Sequence, residues 1–268
     1  MIITNSGCVG DVLLGDCVEI MKSFGDESVD LTVTSPPYDN LRTYNGYSFN
    51  FESIALELFR ITKPGGVVVW VVGDATVNGS ETGTSFRQAL FFKDECGFNL
   101  HDTMIYQKNH VFAYDPRNGR YKQAFEFMFV LSKGRPSTYN PIADVESKKT
   151  ESKSITGGRS ASGKLREAKD VQHKQFQDRP NVWRYGTGMN QSTKDREAFK
   201  HPAIFPEGLA CDHIISWSNP GDLIFDPFTG SGTTGKMALI ENRNFIGCEI
   251  SEDYLKIAES RIHKALSC

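Results

Sequence analysis

The chain has 268 residues, 39% apolar and 24% charged, with a mean hydropathy of −0.38 and a net charge of −3. That is room for one large α/β domain with an insertion, or one domain plus a small one. It excludes a membrane span, since the longest strongly apolar run, Val67 to Val72, is far too short, and it confines any nucleic-acid-binding charge to a local patch.

Val12-Leu13-Leu14 is a short strand candidate ending at Gly15-Asp16, and Cys17 to Phe24 has helical spacing at Val18, Met21 and Phe24. Val29 to Thr34 is β-rich and stops at Ser35-Pro36-Pro37-Tyr38, where two prolines cannot continue a ladder. A polar, aromatic loop follows from Asp39 to Asn50. Phe51 to Thr62 predicts an amphipathic helix with Ile54, Leu58 and Ile61 on one stripe. Val67 to Val72 is apolar on both faces, the pattern of a buried parallel strand. Asp74 follows it, at the same sheet edge or simply forming a turn. Ser85 to Cys96 reads as a helix closed by Gly97, and Leu100 to Gln107 and Phe125 to Leu131 as antiparallel neighbours.

From Gly134 to Lys200 the chain is poor in aliphatics and rich in Lys, Arg, Ser, Gln and Gly. It reads either as a basic, loop-rich insertion or as a solvated linker. Order resumes at His201-Pro202-Ala203-Ile204-Phe205-Pro206, with a helix to Trp217. Leu223-Ile224-Phe225 is a strand candidate, and so is Phe245 to Ile250. Glu252 to Leu266 is a final helix with Leu255, Ala258 and Ile262 at core spacing. No internal repeat is present.

Two motifs carry chemistry. Asp226-Pro227-Phe228-Thr229-Gly230-Ser231-Gly232-Thr233-Thr234 lies between a strand and a helix-like run, and glycines there let a backbone approach a cofactor closely. Glu249 closes the next strand about 20 residues on, the spacing at which a carboxylate meets ribose hydroxyls. No lysine adjoins Thr233-Thr234, so a triphosphate cradle is excluded in favour of an adenosine-type ligand. Ser35-Pro36-Pro37-Tyr38 offers a hydroxyl, carbonyls on residues without N–H groups, and a flat ring. That set suits a planar group with an exocyclic amine, or, more plainly, a strand-ending turn with a core tyrosine.

Together the two motifs resemble those of S-adenosylmethionine-dependent DNA amino-methyltransferases. The order, catalytic motif first and cofactor motif near the C-terminus, resembles the permuted β group. The resemblance implies a doubly wound, mostly parallel α/β sheet of Rossmann-like methyltransferase type. Residues 1–134 would be its catalytic half, 135–200 an inserted target-recognition segment, and 201–268 its cofactor-binding half. It implies S-adenosylmethionine as cofactor and double-stranded DNA as partner, with the target base extruded from the duplex. Ser35, Pro36, Pro37 and Tyr38 would hold the amino group and stack on the base. Asp16, His201, Pro202, Phe205, Asp226, Pro227, Phe228, Gly230, Gly232, Thr233, Thr234 and Glu249 would form the cofactor site. Arg42, Arg159, Lys164 and Arg166 would meet DNA phosphates.

A serine in the first motif position resembles the N4-cytosine enzymes more than the N6-adenine ones. Methylation of RNA or protein, and an inactive nucleic-acid-binding module, are the competing readings. Carbon-5 methylation of cytosine needs a cysteine after a proline, and none is present. The six cysteines, Cys8, Cys17, Cys96, Cys211, Cys248 and Cys268, form no Cys-x-x-Cys pair, and no two histidines have metal-ligand spacing. A cytoplasmic protein with reduced thiols and no metal is expected, acting as a monomer or homodimer, with a cognate restriction endonuclease as candidate partner.

Overall fold

A computed structural model of the chain describes residues 2–4, 7–37, 49–110, 119–147, 153–155, 158–165, 169–171 and 175–266. It divides into a large unit, residues 1–140 and 181–268, and a small one, Pro141–Pro180. Among the described residues, nine strands of the large unit form one sheet. They are β1 (Ile2–Ile3), β2 (Val9–Leu14), β3 (Val29–Thr34), β4 (Thr62–Val72), β5 (Asn99–Lys108), β6 (Phe125–Ser132), β7 (Val182–Tyr185), β8 (Leu223–Asp226) and β9 (Asn244–Glu249). Their spatial order is β1-β2-β9-β8-β3-β4-β6-β5-β7. The run from β2 to β4 is parallel throughout, and β5 and β6 pair antiparallel as the sequence predicts.

The helices are α1 (Cys17–Met21), α2 (Phe51–Ile61), α3 (Thr84–Phe91), α4 (Glu207–Trp217), α5 (Thr233–Ile240) and α6 (Glu252–Leu266). α2 packs against α1 and α3, and α5 against α4 and α6. Local chemistry sets their ends. The Asp16 carboxylate caps α1 by accepting from the Val18 N–H at 2.8 Å. Asn50 caps α2, whose buried stripe is Ile54, Ala55, Leu58 and Ile61. Past Phe91 the predicted Ser85–Cys96 helix loosens into a π turn, Phe92–Cys96, which Gly97 ends at φ 94°.

The core centres on β4. Val67 to Val72 are all buried, and Trp70 makes edge-to-face contacts with Phe51, Phe92 and Phe228. Its indole N–H donates to Gln88 Oε1 at 2.9 Å, so the one polar atom of the ring is satisfied. Each such valine contributes roughly 1.5–3 kcal/mol by leaving water, which explains why a run of uninterrupted apolar residues sits mid-sheet.

The connections fix where a ligand can enter. From β8 the chain runs through α5 to β9 on one side, and from β3 through α2 to β4 on the other. The strand order therefore reverses between β8 and β3, and the crevice outside their carboxyl ends is the place where open α/β sheets bind ligands.

The small unit is a nested β-ribbon. Ala143–Glu146 pairs with Phe176–Asp178, Lys153–Ile155 pairs with Lys169–Val171, and an isolated bridge joins Arg159 to Leu165. The tip is the turn Ser160 to Lys164, closed by the Ser160 N–H on the Lys164 carbonyl at 2.8 Å. Residues 181–200, counted with the insertion from sequence, belong to the large unit: β7 extends its sheet beside β5.

Candidate active site

Both sequence motifs begin at the reversal point. Thr34, the last residue of β3, donates its hydroxyl to Asp226 Oδ1 at 2.6 Å, and Asp226 is the last residue of β8. Ser35, Pro36 and Pro37 leave β3 directly after that contact, with Pro36 buried and the other two half-buried. Tyr38 and Arg42 lie outside the described residues, as does Arg166.

Asp226 is 1% exposed. Its Oδ1 also accepts the Phe228 N–H at 3.0 Å. Burial pushes its pKa up to about 6, against the hydrogen bonds from Thr34 and Phe228 that hold it down. Glu249 ends β9 one strand away. Its Oε2 accepts the Gly230 N–H at 2.8 Å and its Oε1 the Ser251 N–H at 2.9 Å. Burial raises this carboxyl above the ordinary glutamate range. Each Glu249 oxygen keeps a lone pair beyond these bonds.

The glycines of the turn are demanded by protein packing. Gly230 and Gly232 have φ of 51° and 80°, where side chains are strained. A Cβ on Gly230 would stand 3.0 Å from the His201 ring, and one on Gly232 would stand 2.9 Å from Ala258 Cα in α6. The sequence reading gave these glycines to close approach of the ligand. His201 and α6 add a second demand for glycine at the same positions.

His201 accordingly sits on the turn, its ring 4.4 Å from that of Tyr254, with the Ala203 N–H donating to Nδ1. Pro202 is exposed and Phe205 half-buried in the segment that runs from His201 to Pro206 and α4. Phe228 is half-buried against Phe49 and Trp70, and Pro227 is buried. Thr233 and Thr234 open α5 and are buried; the Thr234 hydroxyl donates to the Val33 carbonyl at 3.1 Å, a second tie between the motifs. Asp16 stands at the same edge beyond β2, where Leu14 pairs with Glu249, and serves there as the cap of α1. Asp74 accepts the Ser85 N–H at 2.9 Å and the Ser85 hydroxyl, so it caps α3. Arg159 and Lys164 are exposed at the tip of the small unit's ribbon.

Sequence reasoning missed two groups. Thr34 joins the motifs, and its position immediately before Ser35 was the available signal. Arg261 is fully buried beneath the glycine turn; an arginine on the same stripe as Ala258 and Ile262 was the hint.

S-adenosylmethionine fits this edge on charge. Among the described residues, neither buried carboxyl, Asp226 nor Glu249, forms a salt bridge with a lysine or arginine. A ligand carrying a sulfonium and an ammonium would supply the missing cation, and the lone pairs left on Glu249 could accept from its ribose hydroxyls. Four of the cysteines are held as thiols: burial pushes Cys17 and Cys211 up to about 12 and Cys96 to about 11, and raises Cys248 further still. Among the described residues no group of three or more His, Cys, Asp or Glu could hold a metal, and no helix is long and apolar enough to cross a membrane.

A family model described as DNA methylase, covering the N6 and N4 methyltransferases, matches residues 29–260. The chain is 58% identical over 244 residues to the orphan methyltransferase M.BamHII of Bacillus amyloliquefaciens, covering 90% of this chain and 91% of that one. It is 29% identical to the type II methyltransferase M.MthZI of Methanothermobacter thermautotrophicus, covering 92% and 74%. Among solved structures, the cytosine-N4-specific PvuII DNA methyltransferase superposes with a TM-score of 0.70 at 22% identity, over 99% of this chain and 94% of that one. A DNA modification methylase of Thermus thermophilus bound to S-adenosylmethionine gives 0.65 at 22% identity, over 96% and 95%. The chain belongs to the S-adenosylmethionine-dependent DNA amino-methyltransferases that act on N6 of adenine or N4 of cytosine, with the motif order of the β group.

Proposed function

We propose that this enzyme methylates N4 of cytosine in double-stranded DNA. The observation that carries the reading is the neutral hydroxyl of Ser35 at the end of β3, one residue from the Thr34–Asp226 bond that ties it to the cofactor turn. Ser35 and the Pro36 carbonyl accept the two hydrogens of the exocyclic amine, turning the nitrogen lone pair outward, and Tyr38 stacks on the extruded ring. Bound S-adenosylmethionine supplies an electrophilic methyl group on a sulfonium. The protein supplies orientation, which is where most of the rate enhancement of such a transfer originates. Asp226 and Glu249 hold the cofactor by charge and through its ribose, and His201 and Phe228 shape its turn. The cytosine-N4-specific name of the structure at TM-score 0.70 supports N4 over N6.

The basic ribbon of Pro141–Pro180 is read as the target-recognition segment, since a two-stranded ribbon has the width of the major groove. Arg159 and Lys164 at its tip meet phosphates, with Arg42 and Arg166 joining them. The orphan designation of the 58% identical relative supports an enzyme that works without a dedicated nuclease. Free buried thiols support a reducing, cytoplasmic setting.

The test is transfer of tritiated methyl to DNA, RNA and protein, followed by hydrolysis of the DNA product to nucleosides and mass spectrometry. N4-methyldeoxycytidine is expected. N6-methyldeoxyadenosine would overturn the base assignment, and counts confined to RNA or protein would overturn the substrate.

A further inference from the structure

Arg261 lies on α6, 30 residues past the glycine turn, and is completely buried. Its guanidinium is divided among three elements. Nη1 donates to the Ser231 carbonyl and, at 3.0 Å, to the Ser231 hydroxyl inside the turn. Nε donates to Asp195 Oδ2 at 3.1 Å, and Nη2 to Glu207 Oε1 at 2.9 Å. Asp195 caps the short 3-10 helix Arg196–Lys200 that leads into His201, and Glu207 is the first residue of α4 after Pro206. One side chain thus grips both ends of the segment containing His201, Pro202 and Phe205, and the turn against which His201 packs.

The rest of the cluster keeps that grip rigid. Glu207 Oε1 also accepts Lys236 Nζ and the Thr193 hydroxyl, both at 2.7 Å. Asp195 Oδ1 accepts the Glu197 N–H at 3.0 Å, and its carboxyl is held below the usual aspartate range, with burial opposed by these hydrogen bonds and by the Arg261 charge. A planar fork with five donors can meet acceptors on three segments at fixed angles, which a lysine cannot reproduce. One turn earlier on the same helix, Ala258 touches the place where Gly232 lacks a Cβ, so α6 presses on the turn at two adjacent points.

We propose that Arg261 is a positioning residue for S-adenosylmethionine binding: it locks the 226–234 turn and the 195–207 segment into one preorganised wall. The inference rests on the proposed roles of those two segments at the cofactor. It acts from behind the wall and touches neither the cofactor nor the DNA base, so its loss is felt in cofactor affinity and not in the transfer step.

The experiment compares wild type, Arg261→Lys and Asp195→Asn, the last leaving Arg261 and its grip on the turn in place. Calorimetric titration with S-adenosylmethionine gives Kd, and steady-state methylation gives both KM values and kcat. Hydrogen–deuterium exchange is read on cofactor-free protein over residues 195–207 and 226–236. Arg261→Lys is expected to raise Kd and KM for S-adenosylmethionine at least tenfold, with kcat at saturating cofactor and KM for DNA within about twofold. Exchange should quicken in both segments together. Asp195→Asn should quicken exchange chiefly in 195–207 and raise Kd by a smaller factor. Unchanged cofactor affinity in a destabilised Arg261→Lys protein would overturn the inference, as would a fall in kcat at constant Kd. Should Arg261→Lys not fold, unchanged Kd in Asp195→Asn would overturn it equally. Wild-type protein that failed to bind S-adenosylmethionine would instead remove the cofactor reading on which it rests.

Discussion

Asp226→Asn should make the protein more stable at alkaline pH while weakening it as an enzyme. The carboxyl is buried, and its pKa is near 6 where an ordinary aspartate has 3.8. At 1.36 kcal/mol per pH unit, that gap corresponds to about 3 kcal/mol. Below pH 3.8 the group is protonated whether the chain is folded or not, and the gap has no effect on stability. As pH rises through 3.8 the unfolded chain ionises first, and ionisation draws the protein toward unfolding. Above about 6 the folded state carries the whole cost. Asparagine keeps an acceptor oxygen for the Thr34 hydroxyl and the Phe228 N–H, and never ionises. Denaturant unfolding of the cofactor-free proteins should therefore show the variant ahead by about 3 kcal/mol at pH 8, the advantage closing by pH 4. Titration with S-adenosylmethionine at pH 8 should show at least a tenfold loss of affinity, because an unmatched anion facing a cationic ligand has gone. A variant less stable than wild type at pH 8, or an advantage that did not shrink on acidification, would refute the reasoning.

Ser35→Ala should lower kcat for methyl transfer at least 100-fold and leave the Kd for S-adenosylmethionine within twofold, by single-turnover kinetics and calorimetry; loss of cofactor binding instead would move Ser35 out of the amine-binding role. Replacing both Arg159 and Lys164 by alanine should flatten the log–log salt dependence of DNA binding by about 2, read by anisotropy at several salt concentrations. An unchanged slope would take the ribbon tip off the phosphates. Leu58→Ala, at a fully buried position of α2, should cost about 2–5 kcal/mol of unfolding free energy, and a cost under 1 kcal/mol would show that the core beside β4 collapses around the gap. Gly232→Ala should destabilise by roughly 1–3 kcal/mol, since it combines a strained φ with a Cβ pressed on α6. A neutral result by thermal unfolding would mean that α6 can retreat.

Much of this was legible in the chain. The β4 run, the antiparallel β5 and β6, and the final helix from Glu252 to Leu266 follow from apolar periodicity, which short-range packing enforces. Both motifs were visible because glycine frees the backbone and proline fixes it wherever they occur. Strand order was not, because pairing across 192 residues, as between Thr34 and Asp226, leaves no local trace. The glycines at 230 and 232 were noticed for the ligand, and only tertiary packing adds that His201 and Ala258 also press on them. Arg261 was passed over because composition places arginine in water, and its partners are scattered from Asp195 to Thr233. The ribbon of Pro141–Pro180 looked irregular because its ladders are short and their outward residues need no apolar alternation.

The insertion of β8 and β9 between β2 and β3 bears on how the protein is made. A ribosome delivers the two flanking strands early and the pair that belongs between them far later. Until then β2 and β3 have unpaired edges facing a gap two strands wide, and the nascent chain holds an open seam of unpaired N–H and C=O groups flanked by apolar side chains. Closure waits on contacts of very long sequence separation, which predicts slow folding. A chain released before its last quarter is translated can neither seal that seam nor bring its two motifs together, so truncated products should be both inert and prone to aggregate.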